Sequence, residues 1–501
     1  MKKYFHTALV TGAMTMLSAG AAFGADSTDK TIADWQTMAQ SDLDAVKRLI
    51  QQVHPGSMDN LNPAFEAWTD SGYQQAQKLI PKVHSYDTAM AAVRYYVTGF
   101  YDGHLGYSDN ARANASVQVT GWRVDLVQGA YIVTDAAPSW PAAMPPVGAK
   151  LIECDGHTVE ELLRNNIAPF YDRRNFSTVK ALLTPMLAVK PLTGMELKQC
   201  RFKTDQGAPI DATVHYQSAT PDLAQKLLSP HHVDLIRPVH SVQLSDNILW
   251  IRSASFELRP ELVTELDTVL AKLPSLASKS GITHIVFDVR NNGGGDSNVG
   301  NRLLEAATGG LEYDQAGIEK LPPVYAQWRV SDESIATVAW YVSEMTKALG
   351  PDHADVQETK QLLAKLKAAI KTKQIWVDES DGYAINRTEV QRRHGKLRRF
   401  NGTVVLLTDS ACFSACLDFA DAIRLIPNSI HLGQTTDADT VYLNGGLMDL
   451  PSGNKLFMPL KVWRNRTRGH NEPLVPDVPL TVDMANDAAV YQATLSALKA
   501  R

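Results

Sequence analysis

A chain of 501 residues is too long for one hydrophobic core and predicts several domains. Its 44% hydrophobic and 21% charged residues are ordinary for a globular protein. A formal net charge of −5 is small for this length and argues against nucleic acid or an anionic membrane as partner.

The chain opens with Lys2 and Lys3, a short apolar run from Ala8 to Phe23, and the small residues around Ala22-Phe23-Gly24-Ala25. This is the layout of a secretory signal peptide over residues 1–24, cleaved near Gly24. The run is about 16 residues, short of the roughly 20 that span a bilayer. No other segment is suited to crossing a membrane. The mature protein is therefore expected to be exported, periplasmic or secreted, without a membrane span.

Residues 25–110 read as a helical N-terminal domain. Leu43, Val46, Leu49, Ile50 and Val53 share one helical face, as do Met90, Val93, Val97 and Phe100. His54-Pro55-Gly56 breaks the first helix, and Asp102-Gly103 leaves His104 in a loop beyond the last. From 117 to 215 the pattern changes to short β-like runs. Val124–Val127 and Tyr131–Val133 flank a Gln128-Gly129 turn, and Leu151–Cys154 precedes an Asp155-Gly156 turn and a helix from Glu160 to Arg164. This second stretch resembles the latter half of a PDZ domain, with Gly121-Trp122-Arg123-Val124 as a degenerate form of that family's carboxylate-binding loop.

Residues 240–485 read as an α/β core. Ile248–Ile251, Ile282–Val289 and Val404–Leu407 are strands, and Leu262, Leu266, Val269, Leu270 and Leu273 form a helical stripe between the first two. An insertion at about 312–398 has a helical centre, with Val356, Leu363, Leu366 and Ile370 on one face. Its closing basic run of Arg392, Arg393, Lys396, Arg398 and Arg399 reads as a solvated loop rather than a docking patch. Residues 486–501 are expected to form a C-terminal helix. Of the four cysteines, Cys154 and Cys200 are the plausible disulfide pair of an exported protein. Cys412 and Cys416 read as small buried residues beside Ser414, and the pairing stays open. The spacing suggests no zinc site, and no metal or cofactor is expected.

Three separated pieces have the character of a hydrolase site. In Leu406-Leu407-Thr408-Asp409-Ser410-Ala411-Cys412-Phe413-Ser414-Ala415-Cys416 an apolar strand runs into small residues and then a helix. A serine there sits where orphan N–H groups and the helix dipole favour negative charge, as attack on a carbonyl requires. In Phe287-Asp288-Val289-Arg290-Asn291-Asn292-Gly293-Gly294-Gly295-Asp296 the glycines let backbone approach a ligand closely. Phosphate or nucleotide binding there is a rival reading, although the Gly-Lys-Ser/Thr ending of a phosphate loop is absent. Asp102-Gly103-His104-Leu105-Gly106 frees a histidine that titrates near neutral pH.

In this order the pieces resemble the tail-specific, or C-terminal-processing, serine peptidases. That family's strand ending "D-x-R-x-N-x-G-G" appears as Asp288–Gly295, its nucleophile turn as Ser414-Ala415-Cys416, its hairpin "L-P-x-G" as Leu450-Pro451-Ser452-Gly453, and its "P-D" pair as Pro476-Asp477. The resemblance implies a multidomain α/β (α+β) fold, with a crotonase-like (ClpP-like) α/β core, a helical N-terminal domain and a PDZ-like β module. It implies a protein or peptide substrate, and self-association stays open. One branch of the family uses a Ser–Lys dyad, but Gly433–Thr440 contains no lysine, and Asp437 and Asp439 cannot serve as a neutral amine base. The tricorn-like branch has an "x-D-x-H" loop, which His104 matches, and a glutamate near the "P-D" pair, where Glu472 falls. The implied triad is Ser414, His104 and Glu472, with the N–H groups of Ala415 and of Gly293 or Gly294 as oxyanion hole. Two positions depart from that branch. Gly103 replaces the serine before the histidine, and the acidic residue after the nucleophile falls one place later, at Asp418. The alternative function is that of a non-proteolytic relative binding hydrophobic ligands or proteins.

Overall fold

The computed structural model describes residues 30–108, 117–204, 207, 209–228, 238–313, 322, 324–379, 395–424, 426–466 and 468–500. The signal-peptide reading, Arg392 and Arg393 lie outside them. The N-terminal part is three helices, Ile32–Val53, Pro63–Gln77 and Tyr86–Thr98. Thr31 and Ser85 open the first and third with reciprocal capping boxes. The first helix stops where Pro55 would interrupt it, and His54 caps the short turn that follows.

Residues 117–215 carry an antiparallel sheet of Trp122–Val127, Ala130–Ala136, Lys150–Cys154, Gln199–Lys203 and Ile210–Thr213. Asp155 and Gly156, both at positive φ, make the tight turn into His157–Thr158. Cys154 and Cys200 face each other on adjacent strands and are bonded. The following helix starts at Val159 and passes into a wider π-turn at Leu163–Ile167.

The α/β core is a six-stranded sheet. His240–Ser245 pairs antiparallel with Ile248–Ser253, and His284–Asp288, Thr403–Thr408, Ile430–Gly433 and Val478–Pro479 follow in parallel. Its central strands are apolar throughout because both faces are covered. Ile285, Phe287, Val404 and Leu406 pack with the helices Pro260–Ala277, Ser297–Thr308 and Ala415–Arg424. Val286, Val405 and Leu407 pack on the other side with Val490 of the C-terminal helix Asp487–Lys499.

A second sheet joins the distant parts of the chain. The hairpin Tyr442–Asp449 and Lys455–Arg464 takes Tyr325–Arg329 and Trp376–Asp378 from the insertion on one side. At the other end of the same edge of Lys455–Arg464 sits Gly106–Ser108 from the N-terminal domain, with Gly106 opposite Phe457. The insertion is more helical than its sequence suggests: Asp332–Leu349 forms a helix besides the expected Ala354–Ala369. Its Trp328, Tyr341, Val356 and Leu366 share one core with Leu43, Val46, Val93 and Val97 of the first domain and with Leu456 and Met458 of the hairpin. The basic run is exposed at Lys396 and Arg398, which pair with Glu312 and Glu305.

Trp328 is fully buried at the meeting of these three parts. Trp328→Ala is expected to lower unfolding free energy by about 3–5 kcal/mol in a denaturant titration. A loss under 1 kcal/mol would show that the insertion does not bear on the shared core.

Candidate active site

Two loops leave the carboxyl ends of adjacent parallel strands, the edge where α/β sheets form ligand crevices. Asp288 lies opposite Leu407 in the register, so residues 289–296 and 409–414 emerge side by side. Asp409 ties them, accepting the Asn291 N–H at 2.9 Å on one carboxylate oxygen and the Ala411 N–H at 3.0 Å on the other. The Phe413 N–H donates to the Asn292 carbonyl at 3.3 Å.

Ser414 sits at the start of the helix Ala415–Arg424 with φ of +55°. A side chain in this left-handed region is uncommon and strained, and such residues cluster at functional sites. Gly294, at φ +105°, packs directly on this turn. A Cβ at residue 294 would stand 2.9 Å from both the Phe413 carbonyl oxygen and Ser414 Cβ. Only glycine allows that approach. Cys412 and Cys416 are bonded across Ser414, with Cα atoms 5.3 Å apart. They are thus a disulfide rather than the two small packing residues expected.

The N–H groups expected as oxyanion donors differ in availability. The Gly294 N–H is committed to Asn292 Oδ1 at 2.9 Å. Among the described residues, the Gly293 and Ala415 N–H groups have no such acceptor, and that of Ala415 opens its helix.

His104 arrives from the other end of the chain. Asp102 holds its loop: Oδ1 accepts the His104 N–H and the Thr440 hydroxyl, each at 3.0 Å, and Oδ2 lies 3.2 Å from His54 Nε2. Because His54 Nδ1 accepts the Gly56 N–H at 2.9 Å, its Nε2 carries the proton donated to Asp102. The His104 ring lies on Phe413, the residue before Ser414, at 4.5 Å between centroids. His104 and Ser414 are 4% and 3% exposed, and neither His104 ring nitrogen is hydrogen-bonded. The serine–histidine hydrogen bond is therefore open in this geometry, as is common before substrate tightens a site. Burial pushes the His104 pKa down, while Asp439 and Asp102 push it up and Arg174 and Arg466 push it down. The net effect is a neutral imidazole.

Gly103 has a steric reason. A Cβ there would come within 2.6 Å of Arg174 Nη1, so the serine of the tricorn-like pattern would collide with Arg174. Arg174 reaches over from the β domain to Asp437 at 3.3 Å and to the Ala438 carbonyl. Asp418 is half-buried on the helix Ala415–Arg424, where Ser297 donates to it at 3.1 Å.

The structure thus brings Ser414, Ala415, Gly293, Gly294 and His104 to one place. Glu472 is exposed and accepts the Gly469 N–H at 2.9 Å. The sequence pattern places Asp102 in the histidine loop without a partner, gives Arg174, Arg466 and Arg468 no role, and offers Asp439 only in the place of the dyad lysine. Arg466 and Arg468 both donate to Asp439 Oδ1. The signal available was the basic stretch Arg464-Asn465-Arg466-Thr467-Arg468 facing the acidic Asp437-Ala438-Asp439.

No family model and no curated relative matches the chain. Among solved structures, mature CPAF superposes with a TM-score of 0.60 at 12% identity, covering 92% of this chain and 96% of that one. CPAF complexed with lactacystin gives 0.60 at 13% identity, covering 93% and 98%. The chain has the CPAF fold. A photosystem II D1 C-terminal processing protease aligns over 89% of this chain and 93% of its own, at 14% identity and a TM-score of 0.35. Among the described residues no helix is long and apolar enough to cross a membrane.

Gly294→Ala is expected to displace the Ser414 turn and cost roughly 100-fold in kcat for any reaction at that serine. Backbone strain would add about 1–3 kcal/mol of destabilisation. Full turnover in a folded variant would show that this contact does not set the geometry of Ser414.

Proposed function

We propose that the chain is an exported serine endopeptidase of the tail-specific type, with Ser414 as nucleophile and His104 as general base. The observation that carries this reading is the convergence on Ser414: a positive-φ serine at a helix start, Gly294 packed against it, and His104 stacked on the preceding residue. The CPAF fold supports it. In the reaction, the Ser414 hydroxyl proton passes to His104 as Oγ bonds to the substrate carbonyl carbon. The Ala415 and Gly293 N–H groups are aimed at the oxyanion that forms. The tetrahedral centre then collapses, the C–N bond breaks, and the amine leaves with the proton from His104. Water, deprotonated by His104, releases the acyl group and restores Ser414. Family spacing assigns the carboxylate that orients His104 to Glu472.

Ser414→Ala is expected to reduce peptide or casein hydrolysis by on the order of 10⁶-fold in kcat, with an unchanged unfolding transition. Turnover equal to that of the parent protein would overturn the proposal. Since His104 acts as a base only when neutral, activity is lost as pH falls through its pKa. Burial places the acid limb of kcat/KM below the ordinary imidazole value of 6.5; a limb above 6.5 would contradict the assignment of the base.

A second reading rests on the burial of Ser414 and the unmade Ser414–His104 hydrogen bond. These features suit a relative that binds protein or hydrophobic ligands without cleaving them. Labelling by an acylating serine probe separates the two: a folded protein that is not labelled at Ser414 is a binding module.

A further inference from the structure

We propose that Asp439, clamped by Arg466 and Arg468, is the positioning carboxylate of His104, a role the family spacing gives to Glu472. The inference rests on the peptidase reading above and names its third member.

Buried polar atoms in proteins nearly always have partners, so those without one call for an explanation. Among the described residues, both ring nitrogens of His104 are buried and unpartnered, and so is Asp439 Oδ2. The other Asp439 oxygen is saturated, since Oδ1 accepts from Arg466 Nη2 at 2.8 Å and from Arg468 Nη1. One carboxylate oxygen is thus fixed and the second left over, and the charge of this carboxylate acts on the His104 imidazole.

The backbone brings the two residues together. Thr440, next to Asp439, donates to the same Asp102 oxygen that accepts the His104 N–H. The Asn471 N–H donates to the Asp439 carbonyl at 2.8 Å, and Asn471 Nδ2 donates to the Tyr101 carbonyl at 2.7 Å. Residues 101–104 and 439–440 are therefore laced through Asp102 and Asn471. Glu472 contributes indirectly, because its bond to the Gly469 N–H shapes the turn that carries Asn471.

The charges agree with the geometry. Burial alone would raise the Asp439 carboxyl, but Arg466 and Arg468, with help from His104, hold it down at about 2. It is ionised wherever a neutral His104 can work. Among the side chains facing His104, Asp439 heads those that favour its protonated form, followed by Asp102, while Arg174 and Arg466 oppose it. Arg468 also donates to Asp421 Oδ2 at 2.9 Å and lies 3.6 Å from Asp418. The clamp on the carboxylate is thus anchored on the helix that begins at Ser414. With one His104 nitrogen donating to Asp439 Oδ2, the other is left as the acceptor for the Ser414 proton.

The test compares Asp439→Asn, Asp439→Glu and Glu472→Gln with the parent protein, using a casein-derived peptide, a serine-acylating probe and thermal unfolding. Asp439→Asn is expected to lower kcat by roughly 10⁴-fold with KM little changed. Loss of a negative charge facing His104 also lowers its pKa, so the acid limb of kcat/KM moves to lower pH. Asp439→Glu should recover part of the rate, and Glu472→Gln should stay within about tenfold of the parent. A 10⁴-fold loss in Glu472→Gln with a near-normal Asp439→Asn would overturn the assignment and return the role to Glu472. Asp439→Asn frees two buried guanidinium groups and may only be read if folded, so the histidine ring N–H resonances of the parent provide a second measurement. A hydrogen-bonded ring N–H signal lost in His104→Gln but kept in Glu472→Gln supports Asp439; its absence from the parent, or its loss in Glu472→Gln, counts against it. A parent protein that neither cleaves peptide nor takes the probe defeats the peptidase reading itself, an outcome distinct from an active parent with an equally active Asp439→Asn.

Discussion

The pairing of Gly106–Ser108 with Lys455–Phe457 is the constraint on which the site depends. The serine turn is built by the C-terminal half of the chain and the histidine loop by its beginning. A three-residue strand, directly after His104, fixes where that loop ends. Asp102 fixes where it starts, through buried bonds to His54 and Thr440. Closing so long a loop costs conformational entropy, although the cost grows only slowly with length. The shared core of Leu43, Val93, Trp328 and Leu456 offsets it. The insertion therefore belongs to the machinery that seats the histidine, since two of its strands complete the sheet in which the loop is anchored.

Around this anchor lies an unusual density of buried charge. Arg174 meets Asp172 and Asp437, while Arg466 and Arg468 meet Asp439. Burying ions is costly unless each is paired and hydrogen-bonded. Removing one member leaves its partner uncompensated, so such a network fixes relative positions more than it adds stability. Here it joins three parts of the chain: Arg174 from the β domain, Asp437 and Asp439 from the loop before the hairpin, and Arg468 from the segment beyond it. Neutral His104 amid these charges follows from the same burial that makes the pairs necessary.

Much of the fold was legible because its signals are local. The stripe of Leu262, Leu266, Val269 and Leu273 is buried as periodicity implies, and Val404–Leu407 is a strand apolar on both sides. The serine turn and glycine loop announce themselves through small residues beside apolar strands. What was not legible depends on tertiary encounter. A helix such as Asp332–Leu349 shows the same period whether its apolar face meets a neighbour or closes on its own insertion. Asp439 reads as one more loop acid until Arg466 and Arg468 fold over it. Cys412 and Cys416 lie four apart, a spacing that in a helix merely stacks two side chains, and only the sharp turn at Ser414 makes them partners.

That bond has a consequence for how the protein is assembled. It closes Phe413, Ser414 and Ala415 into a small covalent ring, using residues that neighbour one another in sequence and meet through the turn they enclose. Once formed, the ring persists through any excursion of the surrounding chain, so Ser414 travels as a prefabricated part. His104 has no such local fixture and is in place only after both ends of the polypeptide have docked. Chemistry at Ser414 would then report completion of the whole architecture, and a half-built chain would carry a shaped but idle serine.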